Sequence, residues 1–363
     1  MFNIDESKLE ETPLKLSIRK PSELRTMEID PASYVFPNRM LTIGEPLTII
    51  GPSGSRKSWL VLQMAACVIT GRDFLGWPVE KQDGKWLIIQ TENDSNRLIE
   101  EMHWLHKWLG EDDSKLVDEK LVIHTLEGEH DRILNISNPS NTTLLATLIR
   151  EVKPMFVVFD PLYNFRAGNL NSDDGMQATC QGLAAIARMG NLKATPIILH
   201  HTLTGREGIR KAVGFDKASY SRNSRALHGF TRRQIHIAPE CPDNSEKLVI
   251  ACGKNSNFPE FKTFGVMLNR ASMIYEVNPA FNEASWLASL SGEIGSAPAT
   301  VSDKPTPENI AKLVAGLPLP KKTLVELIMD EYGRKKSQAY ILIDKAQAAK
   351  TIKRDARGMY GIT

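Results

Sequence analysis

The sequence predicts an α/β fold, a doubly wound and mostly parallel sheet followed by a small basic module. Three observations carry that prediction. Short apolar runs without alternation, among them LTII (47–50), WLII (86–89), FVVF (156–159) and PIIL (196–199), are separated by stretches with helical spacing. Such runs suit parallel strands covered on both faces. A glycine-bearing loop, GPSGSRKS (51–58), stands between the first run and a helical stretch, and a Ser-, Gly-, Ala- and Pro-rich segment (289–307) precedes the basic tail.

Taken in order, residues 1–38 are polar and carry prolines at 13, 21, 31 and 37, so they read as an N-terminal arm. Residues 39–288 form the α/β domain. In it, SWLVLQMAACVIT (58–70) is helical, KWLIIQTEN (85–93) is a strand that ends in polar residues, and a charged helix runs from about Ser95 to Leu109. KLVIHTL (120–126) is a short strand, NTTLLATLIREV (141–152) a helix leading into PMFVVFDPL (154–162), and MQATCQGLAAIARMG (176–190) a helix before ATPIILHHT (194–202). RQIHIAP (233–239), KLVIACGKN (247–255), TFGVMLN (263–269) and ASMIYEV (271–277) read as antiparallel strands at the sheet edge. Residues 289–305 are the linker, and 306–363 the second module.

Composition narrows the class. The 363 residues are 42% hydrophobic and 24% charged with a net charge of +2, ordinary for a soluble globular protein. From Pro305 onward there are 11 Lys/Arg against 6 Asp/Glu, a basic tail suited to a polyanion. Four scattered cysteines without a C-x-x-C pair point to reduced thiols in a cytoplasmic protein. No apolar run approaches a membrane span, and the N-terminus has no signal-peptide pattern.

The loop carries the first piece of chemistry. The phosphate-binding pattern G-x-x-x-x-G-K-[ST] is met by Gly51, Lys57 and Ser58, with Pro52, Ser53, Gly54, Ser55 and Arg56 between them and Trp59 following. Backbone N–H groups at the helix start would wrap the phosphates of ATP, with Lys57 reaching the β/γ-phosphates and Ser58 binding Mg²⁺. Asp160, ending FVVFD, would complete the metal site. Glu92, ending LIIQTE, is placed to activate water, and His200 and His201 end another strand where a γ-phosphate could be sensed.

These four pieces, in this order, resemble the RecA-like ATPases, specifically the plasmid replicative hexameric helicases of the RepA type and their DnaB-like relatives. The resemblance covers residues 40–280. It implies that Glu92 is the catalytic glutamate and that Asp160, followed by Pro161 and Leu162, is the acidic metal residue. Of the histidine pair, it implies that His201 faces phosphate. RNSRALHGFTRR (222–233) is similar to the family's Ser-x-Ala-Leu element and its arginines, Arg222, Ser224, Arg232 and Arg233, and ACGKNSN (251–257) to the Lys-x-Asn stretch. Arg232 or Lys254 would then reach a neighbour's nucleotide in a hexamer. The sequence departs from the family at Arg56, in place of glycine, and at Arg225, where a small residue is usual. Arg56 could point away, pair with phosphate, or fill the pocket.

Two segments would meet DNA. After the sensor strand, Arg206, Arg210, Lys211 and Lys217 lie on a glycine-bearing stretch which, by the resemblance, faces the ring channel and single-stranded DNA. The tail reads as three helices and a β-hairpin, a winged helix-turn-helix. Lys335, Lys336 and Gln338 would face a groove of duplex DNA, and Lys353 and Arg354 would sit on the wing, unless the module docks protein. The resulting expectation is an ATP- and Mg²⁺-dependent ring helicase of a plasmid, phage or mobile element. The alternatives are a non-motor ATP-binding scaffold that recruits DNA or a replication partner, and a RecA-like recombination or repair accessory.

Overall fold

The computed structural model describes residues 18–128, 132–202, 205–221, 225–241, 244–291, 307–314, 318–332, 336–355 and 358–362. They divide into two compact units, Met1–Ser291 and Gly292–Thr363.

In the first unit the strands are β1 (Leu47–Gly51), β2 (Trp86–Gln90), β3 (Leu121–Ile123), β4 (Phe156–Asp160), β5 (Thr195–His201), β6 (Arg233–Cys241), β7 (Asn244–Asn255), β8 (Phe264–Asn269) and β9 (Ile274–Val277). The helices are α1 (Pro21–Thr26), α2 (Lys57–Thr70), α3 (Ser95–Leu109), α4 (Glu111–Lys120), α5 (Pro139–Val152), α6 (Asp173–Ala187), α7 (Arg206–Arg210), α8 (Ala226–Phe230) and α9 (Glu283–Ser291). One sheet runs in the order β3-β2-β4-β5-β1-β6-β7-β8-β9. The first six pair in parallel, and β7, β8 and β9 add antiparallel.

Alternation along the parallel strands feeds two cores, one on each face of the sheet. Phe156 and Val158 pack into the core that holds α2, while Val157 and Phe159 enter the one built on α5 and α6. Trp86 and Ile88 divide from Leu87 and Ile89 in the same way. Helix α2 is apolar nearly all round and correspondingly buried, as a helix between a sheet and further helices must be. Its buried Gln63 gives Nε2 to the Tyr275 carbonyl (2.9 Å) and accepts the Tyr275 N–H (3.0 Å). That pair satisfies backbone groups on β9, the exposed edge of the sheet.

Two boundaries and one additional helix differ from the sequence expectation. Val35 and Phe36, assigned above to the arm, are buried in the core, with Phe36 stacked on Phe74 at 5.3 Å. Of the prolines that suggested an arm, Pro31 and Pro37 start one-turn helices at Pro31–Ser33 and Pro37–Arg39; Pro13 lies outside the described residues. A separate helix, α4, fills the space between α3 and β3, joined to α3 by Gly110 at φ 76°. Helix α9 carries the first unit to Ser291, so residues 289–291 belong to it and not to the linker.

The second unit contains α10 (Pro307–Leu313), α11 (Lys321–Tyr332), α12 (Lys336–Ala348), β10 (Leu319–Pro320), β11 (Ile352–Arg354) and β12 (Met359–Ile362). The three strands pair in the order β10-β12-β11. Ile310, Leu324, Ile328, Ile343, Ile352 and Tyr360 make its own apolar core.

Candidate functional site

Parallel pairing brings the C-terminal ends of β2, β4, β5 and β1 side by side. Gly51 stands opposite His201, and Gln90 opposite Asp160. Every candidate side chain on these strands therefore emerges on one rim of the sheet, where open α/β sheets bind ligands.

The loop after β1 is tight. Gly51 has no room for a side chain, since a Cβ would stand 2.8 Å from the Ile237 carbonyl oxygen. Gly54 takes φ +77° and opens into free space, and Ser55 Oγ donates to the Pro52 carbonyl at 2.8 Å. Helix α2 begins at Lys57 and directs its first amides into this loop. Lys57 Nζ donates to the Gly51 carbonyl (3.0 Å) and the Pro52 carbonyl (2.7 Å) and lies 3.4 Å from His201 Nδ1.

Around that ammonium lie the other expected residues. Ser58 Oγ donates to Asp160 Oδ2 at 2.5 Å. Glu92 Oε1 is 3.7 Å from His201 Nε2. His200 is buried and His201 half-buried; both line the cleft, and His201 is the one whose ring stands beside Lys57 and Glu92. Burial pushes the Lys57 ammonium down to about 8, against the pull of Asp160 and Glu92. Burial likewise pushes the Asp160 carboxyl up to about 6, opposed by the Ser58 hydroxyl and helped by the charge of Glu92. The His201 ring beside it, outweighing partial burial, holds Glu92 below the ordinary carboxylate value. The charges acting on these groups are one another's and that of His201.

Arg56 lies outside that circle. It occupies the N-cap of α2 at φ 52°, ψ 33°, the left-handed region that favours glycine, which explains why the loop pattern asks for glycine there. Its charge acts on Glu101 and Tyr275. Glu101 is buried and held above the usual carboxylate range by that burial, partly offset by Arg97 and more weakly by Arg56. Tyr275 is pushed up to about 12 by burial, with Arg56 opposing. Arg56→Gly is expected to raise stability by about 1 kcal/mol, the relief of a left-handed L-residue, read as the midpoint shift in urea unfolding. A lower midpoint would show that the arginine side chain contributes more than its backbone costs.

Supporting residues that the sequence did not single out hold Glu92 in place. Gln90 Oε1 accepts the N–H of Asn93 at 2.8 Å, and its Nε2 donates to the carbonyls of Asn93 and His124, each at 3.0 Å. Thr91 donates both N–H (3.0 Å) and Oγ1 (3.2 Å) to the Asp160 carbonyl, and Asn164 Nδ2 donates to Thr91 Oγ1. The strand ends that carry Glu92 and Asp160 are therefore tied directly to each other. Their only sequence signal is polarity at a strand end. A cleft of about 690 Å³ opens beside Glu92 and His201, lined also by Tyr163, Arg166 and Asn169.

Two expected residues take other roles. Trp59 is buried, with Nε1 donating to the Met273 carbonyl (2.7 Å) and its ring edge-on to Trp104, so it packs the core and does not line the phosphate loop. Lys217 is ion-paired with Glu260, which occupies much of its charge. Of the two adjacent arginines, Arg233 is buried, bound to Glu45 and to the Arg39 carbonyl, whereas Arg232 is exposed. Arg233→Ala is expected to cost about 2 kcal/mol or more of stability through lost packing and a stranded partner. Arg232→Ala should leave thermal unfolding unchanged. Equal melting temperatures for the two variants would contradict that division.

Lys254 Nζ donates to the His228 carbonyl at 2.5 Å, and burial, reinforced by Arg232, holds its ammonium below the usual value. Arg206 and Arg210 are exposed and Lys211 half-buried. In the second unit Gln338, Lys353 and Arg354 are exposed. Arg222, Ser224 and Lys335 lie outside the described residues, as does the side chain of Lys336. Among the described residues no cluster of three or more His, Cys, Asp or Glu side chains could hold a metal ion. Cys67, Cys180 and Cys252 are buried free thiols and Cys241 an exposed one. Among the described residues no helix is long and apolar enough to cross a membrane.

Residues 10–207 match the family described as an AAA domain, more than half of the chain. The chain belongs to the AAA domain family. The matched segment takes in β1, β2, β4 and β5. No curated protein matches the chain. Among solved structures, the crystal structure of the RadB recombinase aligns with 64% of this chain and 90% of its own at 13% identity, with a TM-score of 0.42.

The residues fit a nucleoside triphosphate with its divalent cation. The Ser58 hydroxyl and Asp160 carboxylate are hard oxygen donors of the kind Mg²⁺ takes. Lys57, held by main-chain carbonyls on the loop itself and beside the His201 ring, is a cation within reach of a bound phosphate.

Proposed function

We propose that the protein is a RecA-like ATPase that hydrolyses ATP as a ring, hexameric by resemblance, and acts on DNA as a replicative-type helicase of a plasmid, phage or mobile element. The observation that carries the reading is the meeting of Lys57, Ser58, Asp160, Glu92 and His201 at one rim of the sheet. Mg²⁺, held through Ser58 and Asp160, would neutralise phosphate charge. Lys57 trades its two carbonyl partners for phosphate oxygens, and Glu92 takes a proton from the attacking water. His201, within reach of both Lys57 and Glu92, registers whether the γ-phosphate is present. Exposed Arg232, or Lys254 once released from His228, would reach the neighbour's nucleotide.

The basic stretch of Arg206, Arg210 and Lys211 would track single-stranded DNA in the ring channel. The second unit, three helices with a three-stranded β-element, supports a winged helix that meets duplex DNA through Gln338, Lys353 and Arg354. The test is steady-state ATP turnover with and without single-stranded DNA. Turnover that DNA stimulates supports the motor reading; turnover indifferent to DNA leaves the chain a nucleotide-binding scaffold.

The pH profile of kcat/KM for ATP should be bell-shaped. Asp160 must be ionised to hold the cation, so activity falls as pH drops through about 6. Lys57 must be protonated to meet phosphate, so activity also falls as pH rises through about 8. A flat profile from pH 7 to 9.5 would remove Lys57 from the phosphate site.

A further inference from the structure

We propose that Phe215 is a stacking residue for the bases of single-stranded nucleic acid. Its ring stands wholly in solvent, at 107% of the reference exposure. Large aromatic side chains normally bury most of their surface, and one left entirely in water has forfeited that stabilisation. The loop that carries it is nevertheless pinned on both sides. Ala212 is buried, with its carbonyl 2.9 Å from the Nδ1 of buried His236. Tyr220 is buried too, its hydroxyl donating to the Ile237 carbonyl at 2.6 Å, and its own carbonyl accepts from Thr202 Oγ1. The Lys217–Glu260 ion pair and the Ser219 N–H to Asp216 carbonyl bond (2.8 Å) fix the descending side. Val213 still packs against the core, and the exposed tip is Gly214–Asp216, turned by Gly214 at φ +77°. The ring is presented by an anchored tip.

The surrounding charge selects the partner. The same stretch carries exposed Arg206 and Arg210 and half-buried Lys211 against Glu207 and Asp216, with Lys217 already neutralised by Glu260. Basic residues beside a bare aromatic ring suit phosphates alternating with flat, unstacked bases. Phenylalanine has no polar group with which to read a base edge, so the contact is indifferent to sequence. Bases within a duplex are already stacked, so single strands are preferred. A second exposed ring, Tyr163 with the Arg166 guanidinium 4.7 Å above it, follows β4, the strand beside β5. The loop is also linked to the phosphate site, because the Thr202 N–H and Lys57 Nζ share the Gly51 carbonyl. This inference rests on the DNA-acting reading above and adds to it the residue that stacks the bases of the single strand.

The test compares full-length wild type, Phe215→Ala, Phe215→Trp and Arg206→Ala/Arg210→Ala by fluorescence anisotropy, using labelled oligo(dT) and a duplex of equal length. Thermal melts accompany them to show that each variant folds. Phe215→Ala should weaken oligo(dT) binding by about 5- to 100-fold, leaving duplex affinity and the salt dependence unchanged. Phe215→Trp should restore binding, with its added emission quenched by oligo(dT). If Phe215→Ala binds oligo(dT) as wild type does while the double arginine variant loses it, the ring is not a stacking residue although the loop still meets DNA. If wild type binds neither probe, the DNA-acting reading itself falls. If Phe215→Ala instead lowers the mass measured by light scattering and leaves oligo(dT) affinity intact, the ring belongs to a subunit contact and the proposal is overturned.

Discussion

Replacing Lys57 by Ala is expected to lower ATP turnover by about 10²–10³-fold, the cost of removing a preorganised cationic or hydrogen-bonding group from developing charge. The ammonium is already desolvated, which is why it sits near 8, and its only partners are two carbonyls of its own loop and a histidine ring. A desolvated cation gains more from phosphate than a solvated one would. The same arrangement limits the damage to the fold. Gly51 keeps the Thr202 N–H as a donor, and Ser55 Oγ still braces Pro52. The thermal midpoint should therefore move little while turnover collapses. The readout is initial-rate phosphate release, with unfolding followed in parallel. Turnover near the wild-type rate would mean that phosphate chemistry takes place elsewhere.

Much of this site was legible in the sequence because strand ends and glycine loops are written locally. An apolar run that stops at Asp160, Glu92 or His201 marks a strand and its rim together, and parallel order then brings the rims into line. What could not be read was side-chain direction. Arg56 allowed three outcomes, and what the structure adds is its left-handed N-cap backbone, a property that a non-glycine residue conceals. Arg232 and Arg233 are neighbours of identical chemistry, and only β6 pairing with β1 and β7, with Glu45 nearby, buries one and exposes the other. Trp59 looked like part of the loop because it follows Ser58, but the helix turns it towards Met273 and Trp104. Val35 and Phe36 looked like arm because prolines surround them, and they entered the core through long-range packing on Phe74 and Trp77. For the arginine pair, Trp59, Val35 and Phe36 the missing information was a contact distant in sequence.

Glu92→Gln is expected to lower the chemical step by about 10²–10⁴-fold, the range for loss of a general base, while ATP still binds. Glutamine keeps the shape of the side chain, and Glu92 is half exposed with His201 3.7 Å away, so the fold loses little. Gln90 continues to hold the backbone of the turn through Asn93 and His124. The substitution also removes a negative charge that raises both Lys57 and Asp160. Without it Asp160 ionises at lower pH and Lys57 loses its proton at lower pH, so both limbs of the residual profile should move towards acid. That displacement distinguishes a missing base from a distorted site. A distorted site would lower the rate without moving both limbs the same way, and would weaken nucleotide binding as well. Single-turnover hydrolysis across pH 5 to 9.5, with a fluorescent ATP analogue reporting affinity, reads all three quantities. Wild-type turnover in Glu92→Gln would exclude this carboxylate as the base.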